Sequence, residues 1–346
     1  MFIIKLGEIC FIKRGSSPRP ISKWLKKEGL MWAKISDLNG NFLRETKEFI
    51  DFSWEAKGLL GSYGDLFITN SATPGIPFIQ LSKKVAYHDG FLSIKCNENV
   101  IIKKYLFYKL ILDRPKLIKM GNGAIFINLS SEILKNWKIE VPSIKIQNQI
   151  IGIIEPIEKL ENNISMQVNK INILLKNLEV TNQKIKLFNI LKPIKNFPKN
   201  LKQVSAKVLM KNTTLISNLE EKGTYSTNSF YCPKGTFLFC SIRTYLQKYC
   251  ILPIEADVNG TLFQFKIKEN FTSLLTSLHN EEFWEKTNLL SSGTKMPTIS
   301  QKDFLNIEIN KTKFELKNLH KLLIIQNEIL LKLTKLKEIF IKLLIK

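Results

Sequence analysis

From Ile150 onward, apolar residues recur at alternating steps of three and four: Ile150, Ile153, Ile157, Leu160, Ile164, Gln167, Ile171, Leu174, Leu178, Thr181, Ile185 and Phe188. Ten of these twelve are apolar, which is the seam of a heptad helix. Pro156 lies early in the run and is expected to start the continuous helix or kink it there, not to end it. From Pro156 to about Leu191 such a helix is roughly 50 Å long. The C-terminal stretch repeats the pattern at Leu319, Leu322, Gln326, Ile329, Leu333, Leu336, Phe340 and Leu343. A seam this apolar cannot face water alone, so each helix needs a long partner. The economical partner is the other helix of the same chain, packed antiparallel in a pseudo-two-fold arrangement; the competing arrangement pairs like helices of two copies. Gln167 and Gln326 are polar seam positions that either fix register or sit at frayed or partner-facing turns.

Upstream of each helix the period changes. Leu66–Thr69, Phe91–Lys95, Thr236–Cys240 and Thr261–Ile267 are β-branched or aromatic runs bounded by Gly, Asp or Asn, and are expected to be strands. Lys103–Leu112 and Ser273–Lys286 carry helical spacing. The fold class is therefore α+β: two mixed α/β domains in tandem, with two long helices forming an antiparallel coiled coil between them. The first domain spans residues 1–143 and ends at Pro142 and Ser143. The first long helix spans 144–191, and Pro193 and Pro198 bracket a linker into the second domain, 192–312. The second long helix spans 313–346.

The chain also matches itself. Gly64–Thr69 resembles Gly235–Cys240 at an offset of 171, and Gly123–Ser130 aligns with Gly293–Ser300 at 170. The match continues through Leu134–Asn136 against Phe304–Asn306 and Lys138–Ile139 against Glu308–Ile309. Nearer the start, Leu6–Ile9 resembles Leu201–Val204 at an offset of 195. That change of offset implies that the front of the second copy lacks about two dozen residues.

Charge narrows the function classes. Lys+Arg number 52 against 30 Asp+Glu, a net charge of +22 that suits a polyanion, either nucleic acid or an anionic membrane. An AT-rich genome also inflates Lys at solvated positions. The apolar C-terminal stretches are broken by Lys every few residues, so no transmembrane helix is expected. Met1–Leu6 is too short for a signal-peptide core. The five cysteines are odd in number with no C-x-x-C pair, and the three histidines are scattered. The expected location is cytoplasmic, away from membranes, with no metal or cofactor bound by this chain.

Basic clusters open both copies. Lys13, Arg14, Arg19, Lys23, Lys26 and Lys27 have no acid among them, nor do Lys199, Lys202, Lys207 and Lys211. Such groups neutralise phosphates without reading sequence. Base reading needs Arg, Lys, Asn, Gln, Ser or Thr on loops or strand ends. Arg14, Ser16, Ser17 and Arg19 qualify, as do Asn70, Ser71 and Thr73 after a strand. At the equivalent place in the second copy stand Ser241, Arg243, Thr244, Tyr245, Gln247 and Lys248. Asn122 and Lys295 lie in Gly-rich loops before the last strand. Ordinary turn chemistry also accounts for Asn70, Ser71 and Thr73; a turn does not need Arg243 or Lys295.

Catalytic signatures are missing. The sequence has no Asn/Asp-Pro-Pro-Tyr/Phe tetrapeptide of an amino-methyltransferase and no Gly-Lys-Ser/Thr phosphate loop. Gly121-Asn122-Gly123 lacks the rest of a dinucleotide fingerprint. Glu45-Thr46-Lys47 and Glu315-Leu316-Lys317 are nuclease-like tripeptides without an upstream Asp in a strand context.

Together these residues resemble the DNA-specificity subunits of type I restriction-modification systems, over nearly the whole chain. In the first copy the resemblance rests on Leu6–Ile9, Gly15, Trp32–Gly40 with Lys34 among the candidate contacts, Gly64–Ile68, Asn128–Leu134, Val141-Pro142 and Gln147–Gln149. In the second it rests on Gly235–Lys248 and Ser292–Ser300, the most specific matches. The first copy departs from the second at Phe126-Ile127-Asn128, which stands where Met296-Pro297-Thr298 carries a proline. The resemblance implies two target-recognition domains, each reading one half of a bipartite, asymmetric site in double-stranded DNA, held apart by the helices. It implies docking of two modification (methyltransferase) subunits, which carry the S-adenosylmethionine-dependent adenine methylation. Restriction subunits, where present, add ATP- and Mg-dependent action. The chain itself is then non-catalytic. Two other readings stay open: a scaffold binding RNA or acidic proteins, and an unrecognised nuclease.

Overall fold

The computed structural model describes residues 2–38, 40–120, 128–225 and 228–345. The chain is a mixed α+β protein that divides into two compact units. The first comprises Met1–Pro156 with Lys337–Lys346, and the second comprises Ile157–Leu336.

In the first unit, strand Phe2–Lys5 pairs antiparallel with Lys138–Val141. A one-turn helix, Leu6–Ile9, leads into Cys10–Arg14. That strand is the edge of a five-stranded sheet continuing through Phe91–Cys96, Leu66–Thr69, Pro77–Gln80 and Phe42–Leu43. A second five-stranded sheet runs Leu25–Lys26, Glu48–Ile50, Leu30–Ala33, Lys84–Tyr87 and Leu59–Ser62. Strand alternation divides the core. Leu66 and Ile68 pack with Tyr105 and Leu106 of helix Lys103–Met120. Phe67, between them, faces the other way and stacks on Tyr87 at 3.9 Å between ring centroids. The chain crosses from one sheet to the other at Gly15: its N–H donates to Phe91 in the first sheet, and the Ser16 N–H donates to Tyr87 in the second. A Cβ on Gly15 would lie 2.1 Å from the His88 carbonyl oxygen, so only glycine fits.

The second unit builds the same pairings from different residues. Val180–Lys186 pairs antiparallel with Glu308–Thr312, and the one-turn helix Leu187–Ile190 follows. A four-stranded sheet runs Leu191–Pro193, Leu262–Ile267, Phe237–Cys240 and Tyr249–Ile251. Ala256–Asn259 pairs parallel with Gln203–Val204 and antiparallel with Ser229–Cys232. In the first unit Lys84–Tyr87 pairs parallel with Leu30–Ala33 and antiparallel with Leu59–Ser62. Gln203–Val204 thus holds the place of Leu30–Ala33, not that of Leu6–Ile9. The counterpart of Leu6–Ile9 is Leu187–Ile190, at an offset of 181. The match of Leu201–Val204 to Leu6–Ile9 is corrected accordingly, and the shortfall at the front of the second copy shrinks to about ten residues.

Four further expectations change. The first long helix spans Ile144–Lys176 and does not reach Leu191. Asn177 caps it, its side-chain amide donating to the Ile173 carbonyl at 2.9 Å. The β-branched Val180 and Thr181 then enter a strand, and Thr181, Ile185 and Phe188 leave the seam. Pro156 lies inside the helix, so it does not start it and, as expected, does not end it. Pro193 belongs to an edge strand, a position that tolerates a missing donor, and not to a linker. The span Ser273–Lys286 is two helices, Phe271–Leu278 and Glu281–Leu289, the second capped by Asn280.

On the first long helix Ile150 and Ile157 of the expected seam are buried, and the positions alternating with them shift by one residue. Ile154, Val168 and Leu175 are buried, whereas Ile153, Leu160 and Leu174 are 43%, 52% and 51% exposed. Both registers are apolar, and the buried one carries Glu158 and Glu161, so counting apolar residues selects the wrong one. Within the second unit this helix meets the last one, Leu319–Leu344, in the same chain. Gln326 donates to Gln167 at 3.1 Å, and Thr334 to Glu161 at 2.9 Å. Rising positions on one helix meet falling positions on the other, so the two run antiparallel there, and the two glutamines pair with each other. Within the first unit Ile341 and Ile345 share a core with Ile150 and Ile154.

One buried amide fastens a long helix in each unit. Gln147 accepts from the Ile102 N–H and donates to the Val100 and Pro142 carbonyls. Asn327 accepts from the Ile216 N–H and donates to the Thr214 and Ile251 carbonyls.

Candidate nucleic-acid interface

In the first unit the ends of Cys10–Arg14, Leu30–Ala33, Leu66–Thr69 and Lys84–Tyr87 feed one group of loops. Asp89 is the hub, a residue not singled out from sequence. Its carbonyl accepts from Arg14 Nε at 2.8 Å and from the Asn70 amide at 3.0 Å. Its carboxylate accepts from the Ser17 hydroxyl at 2.9 Å and stands 3.7 Å from Arg14 Nη2. Burial alone would raise the Asp89 carboxyl, but the Ser17 hydroxyl, a backbone hydrogen bond, His88 and Arg14 hold it below its usual value. His88 is lowered by burial despite Asp89 beside it, and its Nδ1 accepts from the Gly90 N–H at 2.7 Å, as a neutral imidazole does. The dipeptide Asp89-Gly90 is a turn signal that marks this spot in the sequence.

The remaining first-unit candidates sort by what they touch. Asn70 is buried; its N–H donates to Gly90, its carbonyl accepts from Leu129, and its side-chain oxygen has no partner among the described residues. Lys34 is engaged by Glu48. Ser16 and Ser71 are half-buried, and Thr73 is exposed, its carbonyl accepting from the Thr69 hydroxyl. Lys13, Arg19 and Lys23 are exposed, and their side chains have no ion pair or hydrogen bond among the described residues. Asn122 lies outside the described residues.

In the second unit Ser241 takes the place of Asn70. Its N–H donates to Thr261 and its carbonyl accepts from Ile299, the same two bonds by which Asn70 ties its loop to a neighbouring turn and to the segment before a short helix, Ser131–Asn136 in the first unit and Gln301–Asn306 in the second. Ser241 is buried and its hydroxyl is spent on the Thr261 carbonyl. Thr244 is buried too, donating to Asn288 at 2.6 Å. Neither side chain is exposed. Arg243 is. It has a left-handed backbone with φ of 49°, and its N–H donates to the Pro297 carbonyl at 2.7 Å. That bond sets the Arg243 loop against the hairpin that carries Lys295. Both side chains are exposed and neither has a partner among the described residues. Tyr245, Leu246 and Met296 are exposed apolar neighbours. Gln247 is half-buried, and its carbonyl accepts from the Asn212 N–H. Lys248 reaches the Ala206 carbonyl at 2.6 Å and bridges through its backbone to Lys211, which brings exposed Lys207 and Lys211 to the same end. Sequence reading missed Asn288, which holds Thr244, and the exposed Met296.

Among the described residues, no group of His, Cys, Asp and Glu is arranged to hold a metal ion, and no helix is long and apolar enough to cross a membrane.

Residues 2–170 match the family described as the type I restriction modification DNA specificity domain. The crystal structure of the type I restriction-modification system S subunit from M. genitalium aligns over 100% of this chain and 96% of its own, at a TM-score of 0.53 and 12% identity. The HsdS subunit from Thermoanaerobacter tengcongensis aligns over 99% and 96%, with a TM-score of 0.39 and 13% identity. At such identities the likeness is one of fold. Residues 2–170 therefore belong to the type I restriction-modification DNA-specificity domain family, and the chain as a whole resembles the specificity subunits of those systems.

Proposed function

We propose that this chain is the specificity subunit of a type I restriction-modification complex and reads an asymmetric bipartite site in double-stranded DNA. Each unit reads one half, and the long helices fix the gap. The observation that carries the reading is a coincidence of position. In each unit exposed cations without a partner among the described residues accompany Asn70 or its counterpart Ser241: Lys13 and Arg19 flank Arg14 and Ser17, whose Asp89 partner also binds Asn70, and Arg243 follows Ser241 with its N–H bonded to the hairpin that carries Lys295. Cations left unpaired in free protein are available to phosphates and base edges.

The helices add a docking surface for the two methyltransferase subunits. In the second unit Leu160, Ile173 and Leu174 on one helix and Leu322, Ile325 and Ile329 on the other are exposed; in the first unit Ile146, Ile153, Ile339 and Leu343 are. Apolar rows of this kind mark partner sites. S-adenosylmethionine, and ATP with Mg where a restriction subunit is present, belong to those partners and not to this chain.

Selection of the full chain with its modification subunits against randomised duplexes tests the reading. Two short blocks of fixed sequence separated by a constant gap are expected, and removing one heptad from both helices should change that gap. Binding to RNA or acidic protein without a bipartite DNA preference would overturn it, as would metal-dependent DNA cleavage by the isolated chain.

A further inference from the structure

We infer that Arg14 and Asp89 act together as the reader of one G·C base pair in the half-site of the first unit, Arg14 on guanine and Asp89 on cytosine. The inference rests on the DNA-reading function proposed above and names what one part of that site recognises.

The geometry is of donors and acceptors left over. Arg14 spends Nε on the Asp89 carbonyl, and its Nη2 lies 3.7 Å from the carboxylate, beyond hydrogen-bond reach. The fork formed by the two Nη groups is therefore held at one end and unspent at the other. The Asp89 carboxylate takes a hydrogen bond from Ser17 and one from backbone, and keeps acceptor capacity beyond both. Both side chains are about half exposed. The first unit thus presents a donor fork beside an acceptor. The major-groove edge of G·C offers two adjacent acceptors on guanine, N7 and O6, followed by the cytosine N4 donor. A·T offers acceptor, donor, acceptor and methyl, which leaves a fork with one acceptor too few and sets the carboxylate against O4.

The carboxylate also discriminates by repulsion. It is an acid beside Arg14, whose neighbours in sequence Lys13 and Arg19 are exposed cations that attract phosphate. A negative group there weakens non-specific binding and is tolerated only where a donor meets it. Asp89 is anchored for this by Ser17, and its backbone is anchored by Asn70.

The test is site selection from randomised duplexes by the full chain with its modification subunits, comparing the parent with Arg14→Lys and Asp89→Asn. The parent should hold one G·C pair in the first unit's half-site. Arg14→Lys keeps the charge and loses the fork, so the preference at that pair should fall about tenfold or more. Asp89→Asn adds a donor beside the acceptor, so other pairs should appear at the same position. The half-site read by the second unit reports on folding and should not change. If both variants keep every base of the parent consensus, the inference fails while the DNA-reading function stands. A parent chain with no sequence preference overturns both.

Discussion

In the first unit Arg14 is held by Asp89 and Lys34 by Glu48, whereas in the second unit Arg243 and Lys295 are exposed with no acidic partner among the described residues. The supporting strands and the two backbone bonds at Asn70 and Ser241 are alike. Only what stands on them differs. The first unit adds paired charges that restrict each other to its free Lys13, Arg19 and Lys23, while the second sets Arg243 and Lys295 beside exposed Tyr245, Leu246 and Met296. Frame and reading surface are thus separable, because backbone bonds hold the loops and leave side chains free to vary.

The sheet-to-sheet crossing offers the strongest way to break this comparison. The first unit crosses at Gly15, against the His88 carbonyl; the second crosses by a longer path whose Lys199 and Leu201 N–H groups donate to buried Asp257. Gly15→Ala should cost about 3 kcal/mol or more, because the atom it meets is backbone. Asp257→Ala should cost about 2–3 kcal/mol by leaving donors unpaired. Chemical denaturation measures both, and a neutral Gly15→Ala would mean that the crossing is not as tight as described.

Specificity comes next in size. Arg243→Ala or Lys295→Ala should relax base choice in the second unit's half-site alone, by about 1–3 kcal/mol of discrimination for a bidentate contact. An unchanged methylation preference in both would remove them from the reading surface.

A pH effect separates the units further. Burial and the charge of Lys176 lower His279 to about 4. The unfolded chain then binds more protons than the folded one between pH 6.5 and about 4, so stability is full above 6.5 and falls as pH drops through that window. His279→Gln should flatten the decline in a pH series of denaturation curves; an unchanged slope would assign the acid sensitivity elsewhere.

The smallest effects belong to single exposed lysines. Lys207→Ala and Lys211→Ala should weaken binding equally on all sequences, each lowering the slope of log affinity against log salt by about 1. A change in consensus would instead make them base readers.

Much of the frame was legible in the sequence because it obeys local rules. Leu66–Thr69 is a strand with the expected bounds, and Ser130 and Ser300, aligned in the repeat, stand at equivalent places, where each caps a short helix. The errors arose where local pattern was ambiguous. Leu201–Val204 looks like Leu6–Ile9, but strand pairing, which a linear reading lacks, assigns that place to Leu187–Ile190. Adjacent apolar registers on the first long helix could not be separated by counting. The Arg14, Ser17, Asn70 and Asp89 group comes from three separate turns, and nothing in any one of them points to the others.

The amide of Gln147 has a consequence beyond stability. It sits in the first turn of a 33-residue helix and ties that turn to the segment Val100–Ile102 and to Pro142 before the helix. Such a helix is about 50 Å long, so a tilt of about 10° at its base carries the far end roughly 9 Å. That displacement exceeds two base-pair steps of about 3.4 Å. A few well-placed hydrogen bonds at the fulcrum therefore set angular precision. A Gln147 variant that still folds should blur the tolerated gap between half-sites rather than move it.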